Sequence, residues 1–275
     1  MSKQEIYSDG FQIVSSKRSA KNKQTKVPYK ASHFIKEENE INVEKSYQRV
    51  LSAVKDLEGS QYNSDVLKAV STVLNERNIS EIVCFGLGHV GECNISRYQL
   101  AFLLCLKDSF KPLKVLVHDP IFYVGECELL KGLGLSVIEE NNEGSYVICD
   151  ESITLVYLPH CPKQLTNNFL WSNWDIRLEN CILLCNSFAS LLVNHPSRML
   201  IEMVPYIYKL SEYLDEIILE NSFQYRDIFN DTSVHYIKEG KLSKVDSNFW
   251  NKSDKPKYKD TEEFITTQMV EKLNI

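Results

Sequence analysis

From Ile82 onward the chain alternates between short, nearly unbroken apolar runs and longer stretches whose apolar residues recur every three or four positions. The runs Ile82–Phe85, Lys114–His118, Ser136–Ile138, Ile153–Leu158, Cys181–Cys185, Glu216–Leu219 and Val234–Ile237 predict strands. Between them, the spacing predicts helices over Ser96–Lys107, Gly125–Leu133, Leu165–Trp174 and Ser197–Tyr213. Ser96 is placed to cap the first helix and Gly134 to end the second, while Pro205 predicts a kink or split in the fourth. Continuous apolar strands separated by helices indicate a sheet covered on both faces. The expected fold is therefore α/β: a doubly wound, Rossmann-like, mostly parallel sheet with helices on both faces. The last two strands have no helical pattern between them and are expected to form an antiparallel edge pair. Ahead of the sheet, Val43, Tyr47, Val50, Leu51 and Val54 predict one amphipathic helix. Val66, Leu67, Val70, Val73 and Leu74 predict a second, with Ser64 as its N-cap.

Charge divides the 275 residues differently. Lys17, Arg18, Lys21, Lys23, Lys26 and Lys30 run without an acid, and Glu37, Glu38, Glu40 and Glu44 follow. Opposed charge blocks with few apolar anchors make residues 1–40 an expected disordered arm. The basic run reads either as a nuclear-localisation or anionic-partner signal or as a solvated tail. Residues 41–240 are expected to form a single domain, and 241–275 a polar tail with a short helix carrying Phe264, Ile265, Met269 and Leu273.

A net charge of −6 argues against a protein held to nucleic acid mainly by phosphate contacts. Apolar stretches such as Leu100 to Leu106 are too short to span a bilayer, and no secretory signal opens the sequence. The expectation is a soluble protein of the cytosol or nucleus whose eight cysteines are mostly thiols. Cys84, Cys105, Cys149, Cys181 and Cys185 sit in apolar segments. Cys181 and Cys185 are four apart and lack a CxxC partner, so no zinc site is expected.

Ligands of open α/β sheets bind beyond the carboxyl ends of the strands. The residues just after each predicted strand are Gly86-Leu87-Gly88-His89-Val90-Gly91, Asp119-Pro120, Asn141-Asn142-Glu143-Gly144, Pro159-His160-Cys161-Pro162 and Asn186-Ser187-Phe188. Gly86, Gly88, Asp119, Glu143, His160 and Asn186 are thus expected to line one crevice that holds a small ligand. GLGHVG matches a dinucleotide fingerprint, and Asp119 stands where a carboxylate would meet ribose hydroxyls, so a nucleotide-type ligand is one reading. A ligand-free turn is the other. His160-Cys161-Pro162 reads either as a heme-ligating pair, with Cys161 supplying a thiolate, or as a turn in which Pro162 starts a helix. Trp171 and Trp174 are expected to share a face and anchor their helix to the sheet. Asn167, Asn168 and Asn173 either bind ligand or cap and turn the chain. Arg97 is placed to meet an anion or to pair with Glu126 or Glu143. No catalytic triad, paired-carboxylate motif or HExxH is present.

Taken in order, several of these segments resemble the "sensitivity to red light reduced"-like domain family. They are Gly86 and Gly88, Ser96 to Leu104, Asp119-Pro120, Asn142-Glu143-Gly144, Leu158 to Cys161, Asn168 to Trp174, Cys185 to Phe188 and Asn230 to His235. The resemblance spans about Ile82 to Ile237. It implies a regulator in a circadian-clock input pathway with links to heme biosynthesis. It supplies no reaction, cofactor or catalytic residue, and Gly91 and Pro162 fall outside its pattern. An enzyme using S-adenosylmethionine or a dinucleotide in the crevice, and a domain serving only as an interaction surface, remain alternatives. Against the methyltransferase form, Cys84 stands where an acid often precedes the glycine loop.

Overall fold

The computed structural model of the chain describes residues 41–149, 151–258 and 264–266. The expected arm at 1–40 lies outside the described residues, as do Met269 and Leu273; residues 264–266 are not helical. The strands are β1 (Ile79–Phe85), β2 (Lys114–His118), β3 (Ser136–Val137), β4 (Ile153–Leu158), β5 (Cys181–Asn186), β6 (Asp215–Ile218) and β7 (Thr232–Tyr236). The α-helices are α1 (Val43–Glu58), α2 (Gln61–Leu74), α3 (Asn94–Phe110), α4 (Val124–Gly132), α5 (Lys163–Ser172), α6 (Phe188–Asn194), α7 (Ser197–Met203) and α8 (Pro205–Leu210). Pro205 splits the long fourth helix as its geometry requires, because it takes the first helical position of α8. The caps differ from expectation. Ser60, one turn before Ser64, caps α2 through the Asn63 amide, and Cys93 rather than Ser96 stands at the start of α3.

The seven strands form one sheet in the order β3-β2-β1-β4-β5-β7-β6. The expected doubly wound, mostly parallel sheet is met only in part, because the sheet is mixed. The β1–β2, β1–β4, β2–β3 and β4–β5 pairs are parallel, whereas β7 runs antiparallel to both β5 and β6. The reversal has a local cause. The β6–β7 connection contains no helix to carry the chain back over the sheet, so the strand returns in the opposite direction. That connection is still apolar. Phe223 and Phe229 are buried, and Phe229 stacks on Tyr62 of α2 at 4.5 Å.

Alternation along the central strands feeds two cores. Ile82, Cys84, Leu155 and Tyr157 point to one face, where α1 to α4 bury Leu57, Val70, Phe102 and Leu130 against them. Val83, Phe85, Val156 and Leu158 point to the other, against Phe169, Leu200 and Ile207 of α5, α7 and α8. Burial on both faces explains why these strands read as unbroken apolar runs rather than alternating ones. Cys149 departs from its expected burial and is exposed. Among the described residues, no helix is long and apolar enough to cross a membrane.

The Asn- and Trp-rich block around α5 holds this second core together. The Asn167 carbonyl oxygen accepts the Tyr206 and Ile207 amides at 2.9 and 3.2 Å, capping α8, while its amide group donates to Tyr258. Asn168 donates to the Glu143 carbonyl. Fully buried Asn173 accepts from the Ile148 amide at 2.9 Å and donates to the Tyr146 and Phe169 carbonyls at 2.7 and 2.9 Å. Trp174 is buried in the core against the sheet, whereas Trp171 is only partly buried. Trp171 donates to Ser253 O and Trp174 to Phe249 O, and Lys252 lies over the Trp171 ring, so both also bind the C-terminal strap (residues 247–258). Short polar side chains that close their own loops are poor helix formers for this same reason.

Replacing Asn173 with alanine leaves the buried Ile148 N–H without its acceptor, while the Tyr146 C=O keeps Ser172 Oγ as a donor at 3.3 Å. The expected loss is about 1–3 kcal/mol for the stranded amide. Urea unfolding reads this as a lower midpoint at unchanged slope; an unaltered midpoint would contradict the assignment.

Candidate functional site

The parallel strands run outward from β1 to β2 and β3, then return to the other side of β1 as β4. Loops leaving β1 and β4 therefore part in opposite directions, and a crevice forms between them at the carboxyl edge. A cavity of about 380 Å³ opens there. Gly86, Gly88, Asp119, Glu143 and His160 all border it. Asn186 does not. It borders a neighbouring cavity of about 150 Å³ beside Ser187 and Lys163, and Cys161 stands between the two and borders both.

The glycine loop after β1 owes its composition to its neighbours. Gly86 and Gly88 have φ of +74° and +68°, which side chains with a Cβ rarely adopt. A Cβ at Gly86 would also run into the Cys161 sulfur, and one at Gly88 would lie 2.9 Å from Ser96 Oγ. The loop is then fastened by two carboxylates. The Gly88 amide donates to Asp119 Oδ2 at 2.8 Å, and the Ile121 amide donates to Asp119 Oδ1 at 3.1 Å. The Gly91 amide donates to Glu126 Oε1 at 2.8 Å, and Glu126 Oε2 accepts the Tyr123 amide at 3.0 Å. A phosphate cradle needs those glycine amides free. Here they are satisfied from within, and α3 begins only at Asn94, beyond the loop. The GLGHVG match therefore lacks the free Gly88 and Gly91 amides that a dinucleotide fingerprint presents. Arg97 pairs with neither Glu126 nor Glu143 but bonds Asn94 Oδ1 and Glu92 O beside its own helix end.

Electrostatics follow from these contacts. Burial raises the Asp119 carboxyl above its ordinary value, and the Gly88 and Ile121 amides hold it back. Burial would lower the His89 imidazole, but the hydrogen bond and charge of Glu126, 3.1 Å from Nδ1, raise it above its ordinary value. Glu143, at φ +56°, forms an ion pair with Lys255 at 2.8 Å. His160 is exposed and donates through Nε2 to the Asn230 carbonyl at 3.1 Å. Cys161 points its sulfur at Phe85 O, 3.1 Å away, and burial pushes its thiol up. Its thiol is the donor of that bond, and α5 begins directly after Pro162, as in the turn reading.

Several lining residues were missed in the sequence. His118 is 4% exposed, borders the cavity and donates through Nδ1 to Ile138 O at 2.8 Å; its buried Nε2 has no partner among the described residues. A histidine closing a strand directly before Asp119 was the available signal. Gln99 of α3 and the pair Phe264 and Ile265 also border the cavity. The last two come from the far C-terminus, held by the Asn141 side chain donating to Ile265 O at 3.1 Å, and no local pattern places them there.

The SRR1 domain model matches residues 64–236. The chain belongs to the SRR1 family. An SRR1-like protein of Drosophila melanogaster is 30% identical over 217 residues, covering 78% of this chain and 76% of that protein. An SRR1-like protein of Mus musculus is 38% identical over 133 residues, 47% of this chain and about half (53%) of the relative. The Arabidopsis thaliana protein named SENSITIVITY TO RED LIGHT REDUCED 1 is 25% identical over 207 residues, 70% of this chain and 74% of that one. No solved structure matches the chain.

Within the SRR1 domain, the segment Asn186-Ser187-Phe188 and the residues Glu216 and His235 form a buried polar cluster. Ser187 Oγ donates to Glu216 Oε1 at 2.6 Å, the Ala189 amide donates to Glu216 Oε2 at 2.9 Å, and the Phe188 amide donates to His235 Nε2 at 3.2 Å. The serine faces the carboxylate and not the imidazole, so this is the N-terminal anchor of α6 and not a nucleophile with its base. Among the described residues, no group of three or more His, Cys, Asp or Glu side chains is placed to hold a metal.

The raised His89 fixes the sign of a pH effect. Its pairing with Glu126 contributes stability that is complete below the ordinary imidazole value of about 6.5 and is lost as pH rises through the higher folded value. Unfolding of the wild type should therefore weaken more steeply above neutral pH than that of Glu126→Gln, in which the His89 imidazole resonances titrate at lower pH. Parallel slopes for the two proteins would contradict the pairing.

Proposed function

We propose that this SRR1-family chain is a regulator that responds to a small ligand held in the crevice between the β1 and β4 loops. The supporting observation is the cavity of about 380 Å³ at the point where strand order reverses, bordered by both apolar and polar side chains. The Arabidopsis relative is named for red-light sensitivity, and the light-linked part of the regulatory role we assign rests on that name, its clock-linked part on the family resemblance of the motifs. Any influence on heme biosynthesis would run through such a ligand. The eight free cysteines suit a reducing compartment, cytosol or nucleus.

A second reading is an enzyme using S-adenosylmethionine in the same crevice. It is favoured by Asp119, which follows β2 beside the glycine loop with a lone pair to spare on each oxygen. The dinucleotide form is weaker, because the amides of Gly88 and Gly91 are already bonded.

Small-molecule extract passed over the wild-type chain and over Ile121→Trp, which fills the cavity mouth, separates a binding crevice from an empty turn. Mass spectrometry of what each retains should show a species held by the wild type and lost from the variant. Identical retained sets would overturn the ligand reading.

A further inference from the structure

We propose that Phe264 and Ile265 form a displaceable wall of the crevice, so that occupancy of the crevice and docking of the C-terminal strap favour each other. This inference rests on the ligand-binding reading above and names the element through which that site is regulated.

The wall comes from outside the matched domain, which ends at residue 236. Phe264 and Ile265 border the cavity together with Gly88, Asp119 and Leu165. Phe264 is 2% exposed, and its ring meets Tyr258 of the strap edge-on at 5.4 Å. The Asn167 amide group donates to the Tyr258 hydroxyl at 2.7 Å, so the wall is tied to the asparagine that caps α8. A second set of ties runs to the loop after β3. Asn141 donates to Ile265 O at 3.1 Å, and Lys255 reaches both Glu143, at 2.8 Å, and Asn142 O, at 3.3 Å. Asn141 and Glu143 themselves border the cavity, so one loop carries both lining surface and the attachment of the strap.

The manner of attachment lets this wall move. Hydrogen bonds between residues 247–258 and the domain pass through side chains, and no backbone ladder joins the two among the described residues. Segments held in this way open at lower free energy than the strands of a sheet. An ion pair as near the surface as Lys255–Glu143 is weak, which leaves the buried Phe264 ring as the main hold at the crevice. A ligand that touches Phe264 therefore binds the docked state better than the released one. By linkage, docking strengthens its binding by the same factor.

Small-molecule extract passed over the wild type, Phe264→Ala, Asn141→Ala and Ile121→Trp tests the wall. The species held by the wild type should fall at least tenfold in Phe264→Ala. Asn141→Ala, which removes the tie to Ile265 O, should shift retention in the same direction and serves if the Phe264 variant does not fold. Loss from Ile121→Trp with full retention by both alanine variants would overturn the wall and leave the ligand reading standing. Identical sets from all four proteins would remove the ligand reading and this proposal with it. Amide exchange read by NMR tests the coupling in the ligand-free chain. The Ser253 amide donates to the Tyr206 hydroxyl at 3.2 Å in the docked strap, and should exchange at least threefold faster in Phe264→Ala. An unchanged rate would show that wall and strap move independently and would overturn the coupling.

Discussion

Two carboxylates gather the carboxyl edge of this sheet. Asp119, at the end of β2, holds the amide of Gly88, and Glu126, in the first turn of α4, holds that of Gly91. Each also takes an amide from its own segment, Ile121 or Tyr123, so each fastens the β1 loop to the next unit of the fold. A buried carboxylate persists only when its oxygens are satisfied. The glycines supply amides close enough to do so, because no Cβ keeps the chains apart.

Much of the fold was legible in the sequence. Central strands buried on both faces read as apolar runs, and Pro205 broke the long helix at the position where it begins α8. Cap positions were less legible, since Ser60 and Ser64 are equally good caps by residue type, and it is Ser60 whose Oγ accepts the Asn63 amide. The mixed character of the sheet followed from the absence of a helix between β6 and β7. The crevice was legible in part, because residues after strands converge wherever strands are parallel. Asn186 separated from the others because Cys161 stands between its cavity and theirs. The glycine motif misled for a physical reason. Spacing reports where a backbone can turn tightly but not which group its amides meet, and here carboxylates from β2 and α4 arrive first.

The C-terminal strap adds a part that lies outside the matched SRR1 domain. Trp171, Trp174 and Tyr206 hold it by indole and hydroxyl hydrogen bonds to Ser253 and Phe249, and the segment reappears at the cavity as Phe264 and Ile265. The asparagines of α5 link the same face to the Glu143 loop through Asn168 and to α8 through Asn167. Residues that looked like ligand contacts from composition are therefore the fasteners of the cavity wall.

The central claim is that the glycine loop is closed by carboxylates and not held open for a phosphate. Amide hydrogen exchange of the ligand-free chain, resolved by NMR at Gly88 and Gly91, tests it most directly. Both amides should be strongly protected without any ligand, and Asp119→Asn should speed exchange at Gly88 while leaving Gly91 slow. Unprotected exchange at both glycines, or protection that appears only when a phosphate-bearing nucleotide is added, would contradict the account.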